Sequence, residues 1–138
     1  MVDLKAQAAW LRQRLQSGLP AHLGIELVDL SSGRICLALT VQDHHVAANG
    51  YLHAGSVVTL ADTACGFGCL ANLPTGGKSF TTLELKTNFL RTATAGTIHA
   101  EAMLQHGGRR TQVWDAVVRN EAEQTMALFR CTQIILYD

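Results

Sequence analysis

Apolar residues recur at helical spacing near the start of the chain. Four of them lie three or four positions apart: Leu4, Ala8, Leu11 and Leu15. This spacing predicts an amphipathic helix from Asp3 to Ser17. Gly18 and Pro20 follow, and both residue types commonly end helices, so we expect a single helix in the N-terminal segment 1–20.

A strand pattern replaces the helical one after this segment. Residues alternate, or form β-branched and apolar runs, from Leu23 to Leu30 and from Arg34 to Val41. Ser31-Ser32-Gly33 separates the two runs, and such residues allow a tight reversal of the chain. The pattern therefore predicts a β-hairpin.

A long stretch of small and apolar residues follows, from Ala54 to Leu73, and Pro74 comes directly after it. Its length and composition predict one helix. Apolar side chains would occur on nearly every side of that helix, so we expect it to be buried all round. The remaining elements would then have to wrap it.

Four further segments read as strands: Ser79–Leu90, Thr97–Gln105, Thr111–Asn120 and Thr125–Leu136. In the first of these, strict alternation predicts that Leu83, Leu85, Thr87 and Phe89 share one face, and that Thr82, Glu84, Lys86 and Asn88 share the other. This is typical of a half-buried antiparallel sheet. The order of elements predicts one α+β domain.

Composition narrows the class of protein. The 138 residues include eleven Lys and Arg against eleven Asp and Glu, and 48% of residues are hydrophobic. This balance disfavours nucleic acid and anionic membranes as partners, and it suits a single folded domain. The N-terminus shows no secretion signal, and four cysteines lie among apolar neighbours, so we expect a cytoplasmic protein with reduced thiols.

Asp62 is an unexpected residue in the predicted buried helix. No Lys or Arg lies three or four positions away, so the helix itself cannot neutralise the carboxylate. One interpretation is structural: a distant strand residue such as Lys86 pairs with it, or it faces a solvent channel. The other is functional: a desolvated carboxylate serves as a nucleophile or general base.

The start of the same helix offers a complementary group. His53 and Ala54 lie there, where unpaired backbone N–H donors and the helix dipole can polarise a carbonyl oxygen. Eight residues of helix span about 12 Å, too far for this end and Asp62 to act on one carbonyl. The hypothesis therefore requires a homodimer, in which the helix start of one subunit meets Asp62 of the other.

Three motifs carry a resemblance to a known family: Asn49–Gly55 (NGYLHAG), Leu60–Ala64 (LADTA) and Thr81–Arg91 (TTLELKTNFLR). Together they resemble the hotdog-fold acyl-CoA thioesterases of the PaaI-like type, over residues 23–136. The resemblance implies a six-stranded antiparallel sheet around the long helix, in one domain spanning 1–138. It also implies homodimers, often paired into tetramers, an aryl- or short- to medium-chain acyl-CoA substrate, and no cofactor or metal beyond the coenzyme A of the substrate.

The resemblance also assigns roles within the site. It places the polarising N–H on Ala54 and the acid on Asp62, and it gives the hydroxyl that positions a water to Thr82. A strand threonine without a catalytic role is an equal alternative for Thr82. The family usually has His-Gly-Gly where this chain has His53-Ala54-Gly55, so the added methyl group would shape the pocket.

The remaining candidates have weaker support. His53 would hold the turn or contact the thioester, and Asn49 would assist carbonyl binding. Gly55 and Thr81 adjoin the motif residues and are candidates for substrate contact. Four more residues are candidate contacts to the phosphates of coenzyme A: Arg91, Gly108, Arg109 and Arg110. A solvated hairpin with two charges is the commoner explanation for the adjacent arginines.

Other residue patterns favour structural roles. Cys65 and Cys69 lie one helical turn apart without further cysteines at zinc-site spacing, so we interpret them as packed thiols. We expect His44 and His45 to form an exposed loop pair. Thioester hydrolysis is the leading hypothesis. A non-catalytic acyl-CoA-binding or sensing module, and a hotdog enoyl-CoA hydratase or dehydratase, remain alternatives.

Overall fold

The computed structural model describes residues 2–138 and contains three α-helices and six strands in that range. The helices are α1 (Leu4–Arg14), α2 (Gly18–Leu23) and α3 (Ala54–Ala71). The strands are β1 (Glu26–Ser31), β2 (Arg34–Thr40), β3 (Ser79–Phe89), β4 (Thr97–Gly107), β5 (Thr111–Arg119) and β6 (Thr125–Leu136). The predicted hairpin, long helix and four later strands are therefore present.

All six strands form one antiparallel sheet in the order β1-β2-β4-β5-β6-β3. The sheet curves around α3, which contacts β2, β3, β4, β5 and β6. This is the α+β hotdog arrangement that the resemblance implies, with β1 and β3 as the two edges. Within residues 2–138, α3 is the one helix that is long and apolar enough to cross a membrane, with a mean hydropathy of 1.3, but here it is the core helix of the sheet.

The inward face of the sheet supplies the core. Inward side chains of the central strands are Ile98, Ala100 and Ala102 on β4, and Trp114, Ala116 and Val118 on β5. The Trp114 ring lies so close to α3 that a Cβ built on Gly68 would be 2.7 Å from two ring carbons. The absence of a side chain at Gly68 therefore lets a fully buried tryptophan pack against the helix.

The N-terminal segment differs from the prediction, because it contains two helices. Asp3 caps α1 by accepting backbone hydrogen bonds from Lys5 and Ala6 at 3.0 and 3.1 Å. Gly18 has a φ of +71° and begins α2, which continues to Leu23. Pro20 lies in the first turn of α2, where its missing N–H removes no helical hydrogen bond. The single helix expected within 1–20 is thus wrong.

The expectation that α3 is buried all round is also wrong for the isolated chain. The sheet covers most of the helix, but one stripe stays only half-buried: Val58, Thr59, Asp62, Thr63 and Phe67. These positions recur every three or four residues and so share one side of α3. The sheet does not close over this side, which faces α2 and the β3 edge.

A bulge in β3 changes the predicted faces of that strand. Thr82 pairs with Gln133, whereas Glu84 pairs with the adjacent Thr132, so Leu83 is an extra residue. Residues opposite each other in the sheet share a face, so Thr82 points inward with Gln133 and Glu84 points outward. The expectation that Thr82 and Glu84 share a face is therefore wrong, because it assumed unbroken alternation.

The half-buried pattern predicted for β3 is not found in the single chain. Leu85 and Phe89 lie on the inner face of the sheet, which packs against α3, yet their side chains are 41% and 48% exposed. Leu83 and Leu90 are 57% and 58% exposed. The strand pairs only with β6, so its other edge and several of its apolar side chains are uncovered.

His45 is buried, contrary to the expectation of an exposed histidine pair; His44 is exposed as predicted. The His45 ring joins two backbone groups, the N–H of Gln42 at 3.0 Å and the carbonyl of Leu23 at 2.8 Å. Its own carbonyl accepts the N–H of His53 at 2.9 Å. His45 thus ties the end of α2 to the start of α3.

Candidate active site

A groove of about 330 Å³ lies between α2, α3 and β3. Its apolar walls are Leu19, Pro20, Val58, Gly66, Phe67 and Phe80. Thr59, Asp62 and Thr63 supply its polar atoms. The half-buried stripe of α3 is one wall, so the groove is open to solvent along the side that the sheet does not cover. A carboxylate in a mainly apolar groove is a candidate for chemistry.

Asp62 has no ion-pair partner within residues 2–138. Its Oδ1 atom is buried and accepts no hydrogen bond from the described part of the chain. Lys86, the partner considered from the sequence, points to the opposite face of the sheet, where it lies across from Arg130. The ion-pair interpretation is therefore wrong for this chain. The groove that Asp62 lines is open to solvent, as the second structural alternative requires, while its Oδ1 atom stays buried without a partner.

Two neighbouring effects act on the pKa of Asp62. Burial disfavours the charged form and raises the pKa above its usual value, whereas a hydrogen bond between the Thr82 hydroxyl and the carboxylate lowers it. Burial is the larger effect, so the carboxylate binds a proton more tightly than an exposed aspartate does. A raised pKa makes a carboxylate a better base when it is ionised.

Thr82 lies beside Asp62 because it pairs with the inward-facing Gln133 of β6. Its hydroxyl donates to Oε1 of Gln133 at 2.8 Å, and Gln133 is fully buried. Gln133 was not singled out from the sequence. It occupies an inward position of β6 between the buried residues Cys131 and Ile135. The sequence could have indicated it, because a polar residue stands where the alternating pattern of the strand predicts an apolar one.

The start of α3 carries a free backbone donor. His53 is the N-cap residue, and its Nδ1 accepts the N–H of Gly55 at 2.7 Å. Ala54 is exposed, and its N–H has no acceptor among residues 2–138. The Nδ1 atom of His53 therefore caps the helix, which is the turn-holding role considered from the sequence. Gly55 takes part in this cap through its backbone N–H.

A single chain does not bring Ala54 and Asp62 together. They lie eight positions apart on one continuous helix, which separates them by about 12 Å. Two groups acting on one carbonyl must both approach within about 3.5 Å of the reacting atoms. The unpaired carboxylate and the unpaired N–H therefore lie too far apart to share a substrate within one copy of the chain.

The structure places the other predicted residues away from the carboxylate. Asn49 is exposed, and its Oδ1 accepts the N–H of Tyr51 at 3.1 Å, which makes it part of a turn. Thr81 is exposed on the outer face, opposite Ile134, so it does not join Thr82. Arg91 is exposed beyond the end of β3.

The glycine-arginine turn connects β4 to β5. Gly108 donates its N–H to the Thr111 carbonyl at 2.9 Å, and Arg109 and Arg110 have exposed side chains. The hydroxyl of Tyr137 donates to the Arg109 carbonyl, which fixes the backbone of the turn. The turn lies at the end of the sheet where β3 begins, because Ile134 of β6 pairs with the first residue of β5 and with Thr81.

Comparison with known proteins places this fold and site in a family. The family model described as the thioesterase superfamily matches residues 49–127. A 1,4-dihydroxy-2-naphthoyl-CoA hydrolase from Listeria monocytogenes is 34% identical over 83% of this chain and 93% of its own. The acyl-coenzyme A thioesterase PaaI from Escherichia coli is 32% identical, over 78% and 75% of the two chains.

Solved structures agree with the sequence comparisons. The E. coli PaaI protein from the phenylacetic acid degradation operon superposes with a TM-score of 0.84, at 27% identity over 97% of this chain and 96% of that one. A thioesterase from Haemophilus influenzae also gives 0.84, at 29% identity over 94% and 90%. The chain therefore belongs to the thioesterase superfamily, as a PaaI-like thioester hydrolase with the hotdog fold.

Proposed function

We propose that this protein hydrolyses an acyl-CoA thioester to the free acid and coenzyme A, with Asp62 as nucleophile or general base. The observation that carries the proposal is the buried Oδ1 of Asp62, which has no partner within residues 2–138. Burying a carboxylate without a partner is costly, so a position that keeps one suggests a functional requirement. Water and protein groups supply this chemistry, and no cofactor takes part.

The N–H of Ala54 would polarise the thioester carbonyl. It lies at the positive end of the α3 dipole and has no acceptor in the described chain, so it is free to bind a developing oxyanion. Thiolate is a good leaving group, which explains why one base and one oxyanion donor are sufficient. His53 supports this donor by capping the same helix start.

Two copies of the chain would form each site. The distance along α3 requires Ala54 of one protomer to meet Asp62 of the other. The uncovered edge of β3 offers a surface for that association, with Leu83, Leu85 and Phe89 each at least 41% exposed. Pairing this edge with a second copy would satisfy its backbone groups and bury these side chains. Further pairing into a tetramer is consistent with the exposed Leu128 on the outer face, which is 46% exposed.

The groove beside Asp62 would hold the acyl group. Its walls are aliphatic and aromatic, and about 330 Å³ suits an aryl or a short- to medium-chain acyl group. The Listeria relative is named as a 1,4-dihydroxy-2-naphthoyl-CoA hydrolase, which supports an aryl acyl group here. Arg109 and Arg110 would contact the phosphates of coenzyme A from the β4–β5 turn.

The first test replaces Asp62 with asparagine and measures thiol release from a panel of aryl, short-chain and medium-chain acyl-CoA esters. We expect turnover to fall at least about a hundredfold, because base catalysis contributes that much or more. Acyl-CoA binding and the oligomeric state should persist, since asparagine is nearly isosteric. Wild-type rates in Asp62→Asn would remove Asp62 from the chemistry.

A second test separates shared sites from single-chain sites. Ala54→Pro deletes one N–H at the first position of α3, where proline is well tolerated, and the extended ψ of 134° at His53 suits a following proline. Neither Ala54→Pro nor Asp62→Asn should be active alone. After the two variants are mixed and allowed to exchange subunits, each mixed dimer should contain one intact site.

Random exchange should restore about a quarter of wild-type activity, because half of the dimers are mixed and each has one of two sites intact. The control is a mixture prepared under conditions that prevent exchange, which should stay inactive. An exchanged mixture without recovery, in which mass spectrometry detects mixed dimers, would contradict a site shared between protomers.

A further inference from the structure

A layer of buried polar groups lies beneath Asp62. Gln133, Cys131 and Cys65 are each fully buried. Gln133 accepts the Thr82 hydroxyl proton through Oε1 at 2.8 Å and donates through Nε2 to Sγ of Cys131 at 3.3 Å. A fully buried amide that uses both ends of its side chain in this way has a fixed orientation.

The contacts of Gln133 determine what Thr82 can offer. A hydroxyl has one proton and two lone pairs, and the proton of Thr82 is directed to Gln133. The Asp62 carboxylate is a second acceptor within reach of the same hydroxyl, and a hydrogen bond from Thr82 to it lowers the pKa of Asp62. With the proton held by Gln133, the Thr82 oxygen presents lone pairs and acts as an acceptor.

Two acceptors therefore lie side by side, the Asp62 carboxylate and the Thr82 oxygen. A water molecule has two protons and fits this arrangement, donating one to each acceptor while its own lone pair stays free. If Thr82 instead donated its proton to Asp62, the carboxylate would lose basicity and the water would lose its second acceptor.

We infer that Gln133 is a positioning residue, which holds the Thr82 proton away from Asp62 so that the two oxygens together orient the hydrolytic water. The inference rests on the proposed function and selects its general-base form. The water oxygen forms a bond to the thioester carbon while one of its protons passes to Asp62 and the carbonyl π electrons move to the carbonyl oxygen. The C=O bond then re-forms as the C–S bond breaks, and the thiolate leaves and takes up the proton from Asp62, which returns to its carboxylate form.

The surroundings of Asp62 leave few other groups to control its titration. Among residues lining the groove, Asp62 is the one that carries a charge. Beneath it, burial first and then the Cys131 thiol raise the pKa of Cys65 well above the usual range, so Cys65 is neutral. Cys131 is the other titratable group in this layer. In the proposed dimer, His53 at the helix start of the second protomer would also face the groove.

The decisive variant is Gln133→Met, which keeps the length of the side chain and removes the oxygen that accepts from Thr82. The Thr82 proton should then turn to Asp62. We expect kcat to fall about tenfold with KM within about twofold, and the acid limb of the pH profile of kcat/KM to move to lower pH. Thr82→Ser, which keeps the hydroxyl, is the matched control and should retain the wild-type limb.

A double variant separates this role from a loss of packing. The Thr82→Val variant has no hydroxyl to reorient. Adding Gln133→Met to it should therefore neither move the acid limb of the pH profile further nor add to the loss of kcat. The inference would be overturned if Gln133→Met lowered kcat equally in the wild-type and Thr82→Val proteins. It would also be overturned if Gln133→Met alone did not move the acid limb of the pH profile. Loss of turnover in Asp62→Asn would still support the proposed function in that case.

The wild-type protein provides a test that needs no variant. A single turnover in ¹⁸O-labelled water should place the label in the product acid and leave Asp62 unlabelled by peptide mass spectrometry. Label in the Asp62 carboxylate would reveal an acyl-aspartyl anhydride and a nucleophilic role. That result would overturn the positioning role of Gln133 and leave thioester hydrolysis by Asp62 standing.

Discussion

Asp62→Asn should make the protein more stable while it abolishes turnover. The carboxylate has a buried oxygen without a hydrogen-bond donor in the described chain, and burial raises its pKa. Asparagine fills nearly the same volume without a charge, and its Nδ2 can donate to the Thr82 oxygen. The substitution therefore removes a desolvation cost and keeps the packing.

The magnitude follows from the cost of an unsatisfied buried group, about 1–3 kcal/mol. Asp62 is only half-buried as a residue, so we expect a gain in the free energy of unfolding of about 1–2 kcal/mol at pH 8. For a chain of 138 residues this corresponds to about 4 °C in melting temperature for each kcal/mol. Urea denaturation at fixed protein concentration measures the difference without the influence of subunit concentration.

The pH dependence has a definite sign. The folded state binds the Asp62 proton more tightly than the unfolded state, so the destabilising effect of the charge is complete above the folded pKa. It disappears as the pH falls through the folded pKa toward the ordinary aspartate value of about 3.9. The difference in the free energy of unfolding between Asp62→Asn and wild type should therefore be largest at pH 8 and should become smaller in acid.

Asp115→Asn is the matched control, because Asp115 is paired with Arg130 at 2.5 Å on the outer face. An exposed ion pair contributes about 0–1 kcal/mol, so this variant should be slightly less stable than wild type or equal to it. The reasoning about the unpaired carboxylate would be refuted if Asp62→Asn were no more stable than wild type at pH 8. A difference in the free energy of unfolding that becomes larger in acid would refute it as well.

Three further predictions concern other parts of the molecule. Gly68→Ala should lower the free energy of unfolding by about 1–3 kcal/mol in urea titrations, because its Cβ would lie 2.7 Å from the buried Trp114 ring. Lys86→Met should leave thiol release within about twofold of wild type, since Lys86 lies on the opposite face from Asp62; a hundredfold loss would restore the ion-pair interpretation. Replacing Arg109 and Arg110 with glutamine should raise KM for acyl-CoA several-fold in steady-state assays, and leave KM unchanged for a truncated thioester without phosphates.

Much of the fold followed from periodicity. The strands and the long helix have strong patterns, and the predicted bounds of the last strand, 125–136, match β6. The second helix was missed because Gly18 and Pro20 usually end helices, and here they begin one. The exposure of one side of α3 was also missed, since a string of apolar residues does not reveal which side the sheet leaves open.

The candidate site was only partly predictable. Asp62 was identifiable because a charged residue in an apolar helix violates a simple rule. Gln133 and the inward direction of Thr82 depend on the pairing of β3 with β6, which are far apart in sequence. The burial of His45 likewise depends on contacts with Gln42 and Leu23 that no local pattern encodes.

The β3 bulge makes the set of side chains that face Asp62 sensitive to chain length at a single point. Leu83 is the residue without a partner in the ladder, and its presence lets Thr82 and Leu85 point to the same face of the sheet. Deleting Leu83 would restore regular alternation and turn either Thr82 or the residues that follow it to the other side of the sheet. Among homologous chains, a one-residue indel here would therefore change which side chains of the strand share the face of Asp62, although every motif residue could still be present.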